Sequence, residues 1–525
     1  MYICKQKANL KKMTLKMKKM VLVVVTAFIT TTCLYAQEIT RIGRATLNVN
    51  ATSEDQFDFY DQGANKSFNI CWFSFNYPST GGDGQPVTLS ALACMPVAGE
   101  DGAEINNVVA GCHLTITANK DCPTQFNLSG SMLSDNFFNM ILSSSTLGAQ
   151  DDLAHHNLVI LPDYEGYGIT NASTHPYLCG ETTARQVADA LHYGIQLYKN
   201  DPKTDDFRRP FRQDWRTICT GYSQGGAVAM ATHRFIEEQG LSDEFHLAGS
   251  LCGDGPYSPL VTVLYYFEQD RKDVAMSMPI VFPLMLKGLC DYDDAMANHK
   301  IGDYLNERFL ETGVLDMIAE KEKTIDEITD VWKQLYKNGK DGDIDYYKSV
   351  LTENGKLMLK NILKPEVYDY FSQLLDQYPD YSISDIPLPE QGTAAADLHI
   401  ALEHNNLTSG WMPAHPVFLY HSTDDEVVPY DNYICAANLF GEQVTFYPST
   451  MNGTHVATGQ EFFMLNDRIE ALRLLASAGN NDDSIRSTAT QDATPQKWYD
   501  LSGRPIIGEP KSKGIYISGG KKRVF

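Results

Sequence analysis

Six short apolar runs, spaced apart by longer stretches, constrain this chain more than any other feature. They are NNVVAGCHL (106–114), NLVILPDY (157–164), RTICTGYS (216–223), FHLAGSLCGDG (245–255), HPVFLYHSTDD (415–425) and QVTFYPST (443–450). Each is dense in Val, Ile, Leu or Phe, as buried strands are. Between and after them, Thr183–Tyr198, Gly226–Gln239 and Gly459–Ala476 carry apolar residues at three-to-four spacing, the mark of an amphipathic helix. Strand and helix in alternation predict an α/β fold: a mainly parallel central sheet with helices on both faces. The segment 43–97 reads instead as antiparallel strands added at an edge.

One long stretch breaks the alternation. Residues 256–409 read as helices without a comparable strand signal, a helical cap or lid inserted between core segments 37–255 and 410–478. Its first part, VAMSMPIVFPLMLKGL (274–289), is rich enough in Met, Phe and Leu to line an apolar pocket, although most of these residues are expected simply to pack helix on helix. The acidic run DGDID (341–345) is not read as a calcium loop, because Tyr346 and Thr352 stand where such a loop needs Gly and Glu.

The two ends read differently from the body. A Lys-rich stretch (Lys11–Lys19), an apolar run (Val21–Ile29) and small or polar residues up to Ala36 predict a signal peptide over 1–36, and so an exported protein found in the periplasm, at the cell surface or in the medium. The run is shorter than the roughly 20 residues that span a bilayer. A polar linker follows the core at 479–496, and the composition then changes abruptly in a tail, 497–525. The net charge of −23 argues against nucleic acid as a partner, since that needs clustered Lys and Arg. Nine of the 11 cysteines lie beyond Cys33, an odd number that leaves at least one thiol unpaired. Cys71 and Cys94 are centred on the turn at Gly81–Gly84 and could face each other across a hairpin, or be two small buried side chains on adjacent strands.

The chemistry centres on TGYSQGG (220–226). A bare Gly-x-Ser-x-Gly arises by chance in roughly one chain in six of this length, so its context decides. Here RTIC supplies a strand, AVAMATHRFIEEQ a helix, and Gly221 and Gly225 the small residues that a strained strand-to-helix turn demands on either side of Ser223. Serine is unreactive alone and needs a base held by an acid. In sheets with such an elbow the chain order is serine, acid, histidine. His455 is the only histidine after residue 421, and it sits in a loop directly after the last strand run. The acid should end the preceding strand, where Asp424, Asp425 and Glu426 stand together. Asp425, four residues before Pro429, is preferred and Asp424 is the alternative. Backbone N–H donors for an oxyanion should come from Gln224 and from the loop after an early strand, through Leu114 or Thr115, with His113 a structural residue of that loop.

Taken together, GCHLTITANKDCPTQ (111–125), LPDYEGYG (161–168), GYSQGG (221–226), STDDEVVP (422–429) and GTHVATG (453–459) resemble the α/β-hydrolase superfamily. Over residues 65–478 the resemblance is to secretory-lipase-like and related exported bacterial hydrolases. It implies hydrolysis of a small-molecule or lipid-like carboxylic ester through an acyl-enzyme. Ser223 would attack, His455 shuttle the proton and Asp425 fix the imidazole. No cofactor and no metal is implied, and the sequence holds neither a His-Glu-x-x-His motif nor a phosphate-binding Gly-rich loop. The tail motifs YDLSGR (499–504) and KGIYISGGKKRV (513–524) resemble the type IX sorting domains of exported Bacteroidetes proteins, which implies a contact with secretion machinery, although this tail is shorter. Two other readings stand beside the esterase. One is a serine peptidase of the capped, aminopeptidase-like kind, since no propeller precedes Ser223; the other is a noncatalytic binding protein on the same fold.

Overall fold

A computed structural model of the chain describes residues 37–49, 66–96, 104–125 and 157–464 apart from Asp341, together with part of 468–475 and four short strands between 498 and 524. The predicted signal peptide and linker lie outside the described residues. Nine strands form one sheet: β1 (Glu38–Val49), β2 (Lys66–Thr80), β3 (Pro86–Pro96), β4 (Ile105–Cys112), β5 (Asn157–Pro162), β6 (Phe211–Tyr222), β7 (Leu247–Gly253), β8 (Val417–Ser422) and β9 (Phe446–Met451). Their spatial order is β1-β2-β3-β5-β4-β6-β7-β8-β9. The first three pair antiparallel, as does β3 with β5, and every pairing from β5 through β4 to β9 is parallel. The alternation in the sequence is this sheet, and the antiparallel start is its edge.

Strand order reverses at β4. The chain runs outward from β4 to β5, then returns to place β6 on the other side of β4. Loops leaving the carboxyl ends of β4 and β6 therefore diverge and open a crevice, the usual place for a ligand in such sheets.

Side chains alternate across the sheet, so both faces must be covered. On one face Ser250 of β7 meets His233 of the helix Gln224–Glu238, and on the other Tyr420 of β8 meets Phe462 of the helix His455–Met464, ring centroids 5.7 Å apart. The helix Gly180–Asn200 approaches so closely at Gly194 that a Cβ there would lie 2.8 Å from Ile160 and 2.9 Å from Phe75.

Between β7 and β8 the chain builds a helical body with its own core, including Phe267, Leu286, Trp332, Phe371 and Leu402, distinct from the sheet core of Phe73, Phe75, Ile160, Val187 and Leu419. Local signals set its helices. Thr324 accepts from the Glu327 N–H while the Glu327 carboxylate accepts from the Thr324 N–H, a reciprocal cap that starts the helix Ile325–Asn338 and aims Ile328 and Trp332 inward. Asp343, in the acidic run, caps the helix Ile344–Lys348 by accepting from Tyr346 N–H.

The β2–β3 hairpin corrects one expectation. Cys71 pairs with Met95 and Cys94 with Trp72, because the turn joins Thr80 to Pro86 and shifts the register by one residue. A one-residue shift sends two side chains to opposite faces of a sheet, so Cys71 and Cys94 do not face each other. Both are free thiols, as are the other seven cysteines from Cys112 to Cys435.

Candidate active site

The end of β6 is buried from Thr217 to Tyr222, and the next residue, Ser223, turns at φ 59° and ψ −126°. That backbone is costly for a residue with a side chain, on the order of 1–3 kcal/mol, and persists only where its surroundings force it. The surroundings are bare backbone. A Cβ on Gly221 would lie 2.3 Å from the Gly225 carbonyl oxygen; one on Gly225 would lie 2.1 Å from that of Cys112, and one on Gly226 2.3 Å from that of Gly253. Ser223 N–H donates to Gly253 O at 2.9 Å, tying the turn to β7. Gly221 and Gly225 thus let β4 and β6 close around the serine, and Gly226 lets β7 do the same.

His455 Nε2 stands 2.9 Å from Ser223 Oγ, and its Nδ1 stands 2.6 Å from Asp425 Oδ2. The backbone N–H groups of Val427 and Val428 donate to Asp425 Oδ1 at 2.8 and 2.7 Å, which aims the other oxygen at the imidazole. The carboxylate holds the proton on Nδ1 and leaves Nε2 to accept from the serine. Asp424, the alternative, is exposed and makes no contact with His455 among the described residues. Burial opposes charge on His455, but Asp425, and behind it Asp254 and Glu426, outweigh that and hold the imidazole above its usual range. Burial likewise favours a neutral Asp425, but the charge and hydrogen bond of His455 bring it below the usual carboxylate range.

Two further acids complete this cluster, Glu426 from the same acidic run and Asp254, which no sequence motif marks. Glu426 accepts from His455 N–H at 3.1 Å, capping the helix that begins there. Asp254 is fully buried at the end of β7 with φ 38°. Its Oδ1 accepts from Ser422 N–H (2.7 Å), and its Oδ2 from the hydroxyls of Tyr222 (2.6 Å) and Thr458 (3.0 Å). Burial raises its carboxyl pKa. Short of a motif, an acid placed directly after a buried strand, in CGDG, was the available signal.

The backbone N–H groups of Leu114, Thr115 and Gln224 donate to no acceptor among the described residues. Leu114 packs beside Ile116, Cys122 and Tyr167, whereas the Thr115 hydroxyl bonds that of Tyr177 at 2.9 Å. His113 is buried and stacked on Tyr164 at 4.0 Å, with Nδ1 2.7 Å from Leu114 O; it is a loop support, as expected. Above Ser223 lies a cleft of about 430 Å³, its open mouth included, lined by Tyr177, Val263, Tyr266, Phe282, Met285 and Val427. Tyr266 OH donates to Val427 O at 2.6 Å, so with the Tyr177 hydroxyl on Thr115 the cleft offers mainly carbon to a ligand.

Metal-ligand side chains also converge at His233, Glu237 and His415. There the Glu237 carboxylate already accepts from His233 Nε2 (3.0 Å), His415 Nδ1 (2.7 Å), Trp411 Nε1 (2.9 Å) and the backbone N–H groups of Ala414 and His415. It is a saturated anion that staples the end of the helix Gln224–Glu238 to the start of β8.

No family model matches the chain, and no curated protein matches it by sequence. Solved structures are similar to it. A candidate hydrolase of Legionella pneumophila superposes with a TM-score of 0.58 at 15% identity, over 84% of this chain and 98% of that one. The rice cell wall degrading esterase LipA of Xanthomonas oryzae superposes at 0.53 with 20% identity, over 77% and 92%. With the strand order above, these likenesses show an α/β-hydrolase fold.

Proposed function

We propose that this chain is an exported serine hydrolase that cleaves carboxylic esters with an apolar acyl or alcohol part. The observation that carries the reading is one alignment: a serine on a strained turn, 2.9 Å from a histidine that is 2.6 Å from a buried aspartate, beneath an apolar cleft.

In this reading Ser223 Oγ attacks the ester carbonyl carbon as its proton passes to His455 Nε2. The oxyanion of the tetrahedral intermediate takes the N–H of Gln224 and that of Thr115 or Leu114, a donor of this kind contributing about 3–4 kcal/mol in the transition state. The C–O bond to the alcohol breaks and the leaving oxygen takes the proton from His455, which leaves an acyl group on Ser223. Water then gives its proton to the same nitrogen and attacks the acyl carbon. A second tetrahedral species collapses, the acid departs, and Ser223 Oγ recovers its proton. Asp425 stabilises each transient imidazolium. The Tyr, Phe and Met side chains over Ser223 support an apolar substrate, and the leader pattern of residues 1–36 supports export, with cleavage after Ala36. The tail would address the chain to secretion machinery.

Labelling by a fluorophosphonate, lost in Ser223→Ala, together with turnover of p-nitrophenyl esters over aminoacyl anilides, is the expected result. Turnover of the anilides instead would make the protein a peptidase, and wild type that neither labels nor turns over would make it a binding protein.

A further inference from the structure

Two hydrogen bonds to the groups expected to form the oxyanion hole come from one short segment. Gln224 follows the nucleophile, and its side chain is buried. His175 Nε2 lies 2.6 Å from Gln224 Nε2, while His175 Nδ1 lies 2.9 Å from Glu165 O. A carbonyl only accepts, so the imidazole proton sits on Nδ1. Nε2 is then the acceptor for the Gln224 amide N–H. Burial pushes the His175 pKa down to about 3, which keeps this tautomer neutral. Two residues on, the Tyr177 hydroxyl bonds Thr115 and its ring lines the cleft over Ser223.

The segment is gripped on both sides. A Cβ on Gly166 would lie 2.7 Å from His175 N and Cα, so the loop after β5 presses directly on its backbone. A Cβ on Gly288, in the helix Val281–Tyr292 of the inserted body, would lie 2.7 Å from Tyr177 N and 3.1 Å from His175 O. Tyr292 OH donates to Thr174 O at 2.9 Å.

We infer that His175–Tyr177 is a clamp that sets both oxyanion donors, His175 through the Gln224 side chain and Tyr177 through Thr115, with the inserted helix holding the clamp in place. His175 and Tyr177 are positioning residues, and the inference rests on the ester-hydrolase reading above. It makes the inserted body part of the catalytic geometry as well as a cover over the substrate.

Steady-state kinetics on p-nitrophenyl butyrate, with inhibition by an alkyl trifluoromethyl ketone, tests it on the full chain. Removing one oxyanion donor outright costs roughly 100- to 1,000-fold in kcat, so displacing one is expected to cost about 10- to 100-fold. His175→Leu should lower kcat by that factor with KM little changed and weaken the ketone in parallel. His175→Gln, which returns an acceptor to the Gln224 amide, should recover most of the loss. Tyr177→Phe and Gly288→Ala should repeat the pattern more mildly, each checked for an intact melt. Variants with wild-type kcat and ketone affinity, or a loss spread equally over kcat and KM without rescue by Gln, would overturn the clamp while wild-type turnover kept the esterase reading. A wild type without turnover or labelling would remove both.

Discussion

The helix Gln224–Glu238 has a serine, a histidine and a carboxylate in hydrogen-bond contact at each end, one set with its serine on a cleft and the other with its serine fully buried. At its start Ser223 Oγ, His455 and Asp425 are joined at 2.9 and 2.6 Å; at its far end Ser250 Oγ, His233 and Glu237 are joined at 2.8 and 3.0 Å. Distance does not separate them. Their surroundings do: Ser250 sits within the regular strand β7 with no exposure, and Glu237 is saturated by indole, imidazole and backbone donors. Ser223 stands on a strained turn at the floor of a cleft, beside N–H groups that donate to no acceptor among the described residues. The imidazoles differ too. Burial holds His233 below its usual range, whereas the acids around His455 hold it above. A nucleophile needs access, a poised base and donors for the developing charge; the far cluster has the contacts and lacks the rest.

The contrast can be broken most decisively by exchange of roles. Ser223→Ala and His455→Ala should each lower kcat by roughly four to six orders of magnitude, while Ser250→Ala keeps both turnover and fluorophosphonate labelling; loss of labelling in Ser250→Ala would erase the distinction. Asp425→Asn should cost roughly three to four orders in kcat by disturbing the tautomer of His455, against little change in Asp424→Asn, compared in the same ester assay. Glu237→Gln should do the reverse, leaving kcat in place and lowering unfolding free energy by about 1–3 kcal/mol, since one of the two accepting oxygens becomes an NH2 group that faces buried donors; urea unfolding measures it. The smallest effect is on pH. His455 must be neutral to act as base, so activity is lost as pH falls through its pKa, and that limb should lie above the ordinary imidazole value of about 6.5. Asp254→Asn removes one of the charges that raise this pKa, so the limb of kcat/KM should move to lower pH.

What could be read from the sequence follows from how local the cause is. Ser223 was legible because its turn needs small residues two positions away on each side, and Gly221 and Gly225 supply them within five residues. His455 was legible because chain order left one histidine. The strands were legible because parallel strands buried on both faces are written as continuous apolar runs. Asp254 was missed because its role depends on Tyr222, Ser422 and Thr458, which only the closed sheet brings together. His175 was missed for the same reason: its partners are Glu165 and Gln224, and nothing near it in the chain marks it. The hairpin register failed for a different cause, since a symmetric reading of Cys71 and Cys94 cannot see a turn whose centre lies half a residue further on and so shifts the pairing by one.

The nine unpaired cysteines among the described residues carry a consequence for how the chain survives air. Seven are buried outright, Cys290 and Cys435 are partly so, and burial raises the pKa of every one of these thiols, which deprives them of the thiolate that reacts. The fold is in this sense its own antioxidant. An unfolded copy has no such shelter, and its sulfurs titrate near their ordinary value of about 8.5. In an oxidising medium the newly made chain is therefore in a race, burying its sulfur before oxygen cross-links it, and refolding yield should depend on reductant although the finished molecule contains no disulfide among its described residues.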